Sequence, residues 1–382
     1  MTHQQRTISN FLPGIMLSVI IMLLGIYITF LLSKGLVAFN ILPEGSASPI
    51  SSIFVAIIIG ILIRNVIGLP AFFMSGISFS VKYALRAGII LLGLRLSLAE
   101  ALKLGAWGIP LIVTCIAVGL TVTLYFTNKM NQSRRLGTLI ACGTGICGVT
   151  AIMATSPVIR AKDNEISYAV ANITIFGLVS MLCYPFLAYL FFSGDPIKAG
   201  LFLGTAVHDT AQVTGAALIF SEMYDLEAAV NVATVTKLTR NLFIIAVIPL
   251  VSYLFFKHST PTDEVETQST SIPKWYQLIP LFVIGFLLLA CIRTVGDMTL
   301  AQTGKAFWLF AEQTWTTFYE KSSSFGTTYL LGTAMAGVGL STDFKMFKGL
   351  GLKPFYIGLI AAISVGFVSL LLISLFGQWV VI

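Results

Sequence analysis

Residues 201–220 read LFLGTAVHDTAQVTGAALIF. The stretch has the length of a membrane-crossing helix, which needs about 20 apolar residues to traverse about 30 Å of hydrocarbon. Yet His208, Asp209 and Gln212 stand in its middle. An ionisable group at that depth costs on the order of 3 kcal/mol even on insertion scales, so such residues face a wet cavity or a partner. At 100° per residue, Thr205, His208, Asp209 and Gln212 share one arc of about 100°, with Gly204 and Gly215 near the same direction. One face is therefore polar and thin. His208 and Asp209 together have the components of a proton relay. A neutral histidine satisfied by a neighbouring helix, with Asp209 paired to Arg240, accounts for the same residues.

The surrounding chain is of one kind. Of 382 residues, 57% are hydrophobic and 10% charged, which places the protein in the membrane and leaves no room for a separate soluble domain. Apolar periods predict an all-α polytopic protein with eleven spans, near 11–32, 50–67, 80–98, 106–127, 136–158, 166–192, 199–221, 228–256, 275–292, 323–341 and 354–380. The first is expected to be an uncleaved span, since no small-residue cleavage pattern follows it. Residues 297–322, where aromatic and polar groups alternate, suit an interfacial helix. Residues 260–273 have linker composition, in a loop placed at 257–274.

Eleven spans put twelve loop cations on one side and seven on the other. The positive-inside rule then sets the N-terminus in the cytoplasm and the C-terminus outside a bacterial inner membrane. Topology also accounts for the net charge of +7, so nucleic acid is not an expected partner. The five cysteines, Cys142 and Cys147 among them, form neither a zinc framework nor a disulfide scaffold, and no cofactor is expected.

Residues 88–110 align without gaps on 332–354, matching at Gly88/Gly332, Gly93/Gly337, Leu96/Leu340, Ser97/Ser341, Gly105/Gly349 and Pro110/Pro354. With eleven spans the two copies, near 50–127 and 294–380, run in opposite directions around a core at 136–256. Inverted repeats of this kind build many secondary transporters. Chance likeness between glycine-rich membrane helices is the other explanation.

Among the acidic residues only Asp209 falls mid-span, whereas Arg86, Arg95, Lys237 and Arg240 lie in or at the edge of spans. The surplus is positive, so the expected guest is an anion. In the eighth span Lys237 and Arg240, with Asn231, Thr234 and Asn241 on the same broad arc, suit an anion clamp; snorkelling of the cations to an interface is the alternative. In the fifth span ACGTGICGVTAIMATSP (141–157) has Gly143, Gly145 and Gly148 and ends on Pro157. A helix break there would aim free N–H groups at an anion, with Thr144 and Thr150 as further donors. Close packing through small residues explains the glycines equally.

CGTGICGVTAI, GTAVHDTAQVTGAA and VTKLTRN, with the paired segments LLGLRLSL and AMAGVGLST, resemble the YeiH-type sulfate exporter family, long catalogued as conserved hypothetical membrane proteins. The resemblance runs from about residue 50 to the end. It implies a fold similar to the bile acid symporters and sodium/proton antiporters, with discontinuous helices crossing near the bilayer midplane. It also implies a site at Cys142, Gly143, Thr144, Cys147, Gly148, His208, Gln212, Lys237 and Arg240; serine is usual in the family where this chain has Gly145.

These readings lead to a secondary transporter of a small anion, such as sulfate, sulfite or an organosulfonate, working by alternating access. The substrate set is Gly143, Thr144, Gly145, Cys147, Gly148, Thr150, His208, Gln212, Lys237, Arg240 and Asn241, with His208 and Asp209 coupling transport to H+ or Na+. An intramembrane enzyme using His208 and Asp209 lacks a nucleophile or metal motif, and no Walker-type loop is present. An anion channel stays open, as does a homodimer. GTGICGVTAI also matches GTAVHDTAQV 61 residues on, but eleven spans give both segments the same direction and so do not make them an inverted pair.

Overall fold

The computed structural model describes residues 3–39, 50–257, 280–347 and 351–380, so part of the 257–274 loop lies outside the described residues. The chain is an all-α polytopic membrane protein. In order its helices are α1 (His3–Ala38), α2 (Ser52–Leu62), α3 (Met74–Phe79), α4 (Leu85–Leu92), α5 (Leu98–Lys129), α6 (Arg134–Cys142), α7 (Val149–Thr155) and α8 (Asp163–Phe192). Then come α9 (Pro196–Ala206), α10 (Thr210–Tyr224), α11 (Ala228–Leu242), α12 (Ile244–Lys257), α13 (Leu281–Thr303), α14 (Glu312–Phe325), α15 (Gly332–Ser341) and α16 (Leu352–Phe376). Among the described residues, six helical runs are long and apolar enough to cross a membrane: 10–38, 71–95, 98–129, 163–192, 281–303 and 352–379. A seventh, α11 with α12, is bent by 42°.

Local chemistry sets the helix starts. Ser97 and Glu100 form a reciprocal capping box on α5, and the Asp195 side chain accepts from Ile197 N and Lys198 N ahead of α9, whose first residue is Pro196. Both satisfy N–H groups that a helix start leaves without partners.

All eleven apolar segments are helical among the described residues, but two of them turn back. At the start of α6, Ser133 donates to the carboxylate of Glu165 at the start of α8. The pair α6–α7 therefore leaves one end of the molecule and returns to it. At the far end of α8, Tyr189 stacks on Tyr224, the last residue of α10, with ring centroids 3.8 Å apart, while α9 begins just after α8 ends. The pair α9–α10 is thus a second hairpin entering from the opposite end. Since α8 has 30 residues, the two bases are separated by about 45 Å. A sequence of 20 apolar residues satisfies a full crossing and a re-entrant hairpin alike, because both are hydrogen-bonded helices among protein neighbours.

The other segments run end to end. α2 starts beside α10, where Ser51, Ser52 and Ile53 N donate to Glu222, and finishes where Arg64 meets Asp343 at 2.9 Å. α16 starts beside the first half of α8, where Asn172 Nδ2 donates to Pro354 O at 2.7 Å, and its last turn reaches Lys198.

Residues 297–322 are not one interfacial helix. Residues 297–303 complete α13, Lys305–Ala306 pairs antiparallel with Phe310–Ala311, and α14 continues through a π-turn at Gly326–Leu331 into α15. Trp315 is buried and donates from Nε1 to Asp297 Oδ1 at 2.9 Å, which holds α14 against α13. The stretches matched in sequence have like shapes: 74–92 and 312–341 are each helix, π-turn and helix, and each is followed by a break and a long helix.

Candidate functional site

The two hairpin tips meet in the middle of the molecule. In the first, helix gives way to a π-turn at Gly143–Cys147, and the chain reverses at Gly148, whose φ of +64° is a left-handed conformation open to glycine. A Cβ there would also stand 2.9 Å from Asp209 Oδ2, so Gly148 is where the tips touch. In the second, α9 ends at Ala206, Val207 and His208 are extended or irregular, and Asp209 caps α10 by accepting from Ala211 N at 2.9 Å.

Each tip leaves carbonyls without helical partners, and the inbound arms end there with their negative dipole ends. Two buried cations of α11 take them. Lys237 Nζ donates to Ile146 O at 3.1 Å, to Val207 O at 3.2 Å and to His208 O. Arg240 donates from Nε to Gly145 O at 3.0 Å, from Nη2 to Thr144 O at 2.6 Å, and from Nη1 to Thr205 O at 2.5 Å. An ammonium has three protons, and all three of Lys237's are in use. Both side chains are within 1% of full burial, so neither snorkels.

A cavity of about 500 Å³ reaches the tips from the end where α6 begins. Its mouth includes Pro280, Ser341 and Thr342, and its floor Cys147, Val149, Thr150, Asp209, Thr210, Gln212 and Asn241. Gln212 Nε2 is held by Thr174 O at 3.3 Å, its amide lying against the bare α-carbon of Gly177, and Asn241 Nδ2 donates to Thr210 Oγ1 at 3.2 Å. The opposite wall comes from the 74–92 run and carries Lys82 and Arg86.

Of the residues singled out in sequence, Cys147, Thr150, Asp209, Gln212 and Asn241 line this cavity. Gly143, Thr144, Gly145 and Gly148 instead build the first tip, and Lys237 and Arg240 bind carbonyls. His208 is fully buried and off the cavity, with neither ring nitrogen in a hydrogen bond among the described residues. The cavity also takes in Lys82, Arg86, Thr174 and Thr210, which the sequence does not mark as binding residues. In sequence Lys82 looks like a topology-setting loop charge and Arg86 like a span-edge cation.

At the far end Arg95 pairs with Glu227 at 3.0 Å on the wall of a second, polar cavity of about 390 Å³, and Glu222 accepts from Ser51 Oγ at 2.6 Å.

Residues 13–358 match the family described as conserved hypothetical protein 698. The chain belongs to that family. It is 32% identical over 332 residues to a UPF0324 membrane protein of Bacillus anthracis, covering 85% of this chain and 86% of that protein. A UPF0324 membrane protein of Streptococcus agalactiae is 29% identical over 372 residues, 96% of this chain and 98% of its own length. One from Fusobacterium nucleatum is 32% identical over 333 residues, 86% and 91% respectively. The family's members are thus membrane proteins, and the match covers both hairpins and the cavity wall.

Proposed function

We propose that the protein is a secondary transporter that carries a small anion by alternating access. The observation that carries this reading is the pair of hairpin tips, entering from opposite ends and meeting beside a cavity of about 500 Å³ that both of them line. Discontinuous helices that meet near the midplane suit a transport site, because their backbone is irregular only where it lines a cavity.

The charge balance supports an anion. Around the tips stand Lys237 and Arg240 against Asp209, the one carboxylate among the described residues that line the cavity, and Lys82 and Arg86 face the same space. Asp209 is the coupling group in this scheme. It lies on the cavity floor at the N-terminus of α10, where a bound proton removes the negative charge that opposes an incoming anion.

The hairpins also sharpen the orientation. Because each returns to its own end, Arg160 and Lys162 join the cation-rich side and Lys198 leaves it, giving thirteen against six. The cavity mouth is then cytoplasmic, the N-terminus inside the inner membrane and the C-terminus outside.

The test is counterflow in proteoliposomes of the full chain, with labelled sulfonates, sulfate and carboxylates and imposed proton or sodium gradients. Saturable anion exchange that follows the proton gradient is expected. Flux of cations alone, or unsaturable anion leak, overturns the reading, and dependence on sodium instead of protons overturns the role given to Asp209.

A further inference from the structure

The molecule has two pairs of cations near the cavity, and they differ in what their protons do. Lys237 and Arg240 spend theirs on tip carbonyls. Lys82 and Arg86 are exposed on the cavity wall, and neither has an ion pair with any described residue. Each lies over an aromatic face. The Lys82 ammonium lies 5.5 Å from the Tyr83 ring centre and the Arg86 guanidinium 5.9 Å from that of Phe282. Two cations four residues apart on a concave wall, with no ion pair to any described residue, form a receptor for an anionic group.

Between this pair and the polar floor the lining is apolar: Leu85, Ile89, Ile173, Leu178, Phe282 and Val338. A bare inorganic oxyanion gains nothing from such walls and gives up hydration to approach them. A solute with a hydrocarbon body gains from every methylene it buries there. The space, about 500 Å³, accommodates such a body.

We propose that Lys82 and Arg86 bind the anionic group of the cargo, and that the cargo is an organic anion, a short-chain sulfonate or carboxylate, rather than sulfate. The proposal rests on the transporter reading above and narrows its substrate class. The sulfonate or carboxylate sits against Lys82 and Arg86, and the apolar body lies along Leu85 and Ile89 toward the threonine-lined floor.

The experiment is calorimetric titration of the detergent-purified full chain with methane-, ethane-, propane- and butanesulfonate and with sulfate, at one pH and ionic strength. Affinity is expected to rise about fourfold per methylene. Lys82→Gln and Arg86→Gln are each expected to weaken the whole sulfonate series by about tenfold or more. Both should leave the unliganded melting temperature unchanged, since neither side chain has an ion pair to lose among the described residues, and Lys82→Arg should retain binding. Sulfate binding as tightly as butanesulfonate overturns the proposal and leaves the transporter reading standing. Unaltered sulfonate affinity in both glutamine variants also overturns it. Failure of the wild type to bind any anion sinks the transporter reading itself.

Discussion

The two re-entrant hairpins are built alike and finished differently. Their tips align at an offset of 61 residues, which sets Gly148 opposite Asp209, the two positions that touch in the structure. In the first hairpin the reversal is made by a left-handed glycine and carries no charge. In the second it is made by an extended aspartate that caps the returning helix. One tip gives up its side chain so that the other can keep a carboxylate. A symmetrical frame thus yields a site with a single acid, and the two cations of α11 bind the carbonyls of both tips at once.

Breaking the shared clamp should produce the largest effect. Lys237→Met or Arg240→Met leaves several buried carbonyls without donors. Each should lower stability by about 3–5 kcal/mol, the usual cost of removing one member of a buried charged network. Thermal unfolding in detergent measures this, and a variant as stable as wild type would dissolve the idea that these cations hold the tips.

Gly148→Ala tests the point of contact. The added methyl meets a left-handed backbone and Asp209 Oδ2 at 2.9 Å, so a loss of about 1–3 kcal/mol is expected together with loss of transport. The same substitution at Gly304, also left-handed but with open space around it, should cost stability without touching flux.

Asp209→Asn sharpens the contrast from the other side. The amide oxygen can still cap α10, so stability should change by less than about 1 kcal/mol. Anion flux should persist but cease to follow an imposed pH gradient. Retained proton dependence would move the coupling elsewhere.

The smallest effect is expected away from both tips, at Asp343. The Lys345 N–H, and then the Arg64 guanidinium, hold its carboxyl below the ordinary value of 3.8. A carboxyl depressed in the folded state adds stability above its unfolded value and loses it as pH falls through the folded one. Asp343→Asn should therefore cost less than about 1 kcal/mol at neutral pH, and the difference should fade below about pH 3.8 in melting experiments.

Much of this architecture is legible in the chain. Apolar length alone finds helix in each of the eleven apolar segments among the described residues, though not most of α14, and the placement of Cys147, Thr150, Asp209, Gln212 and Asn241 at one cavity follows from breaks suggested by glycines and buried polar groups. The fold-back is harder to see, because a hairpin and a crossing bury the same residues. The 61-residue likeness, at odds with two parallel spans, was the signal for it. The partners of Lys237 and Arg240 are invisible in sequence for a different reason. They are backbone carbonyls, which every residue has and which only a broken helix frees. Lys82 was hidden by its resemblance to a topogenic charge.

That a single helix grips both tips has a mechanical consequence. With Thr144, Gly145 and Ile146 on one side and Thr205, Val207 and His208 on the other tied to α11, the tips cannot part without stranding charge. Under the transport scheme proposed above they would travel as one rigid body, and the floor would reach the opposite aqueous compartment by that body sliding past the panel bearing Lys82 and Arg86.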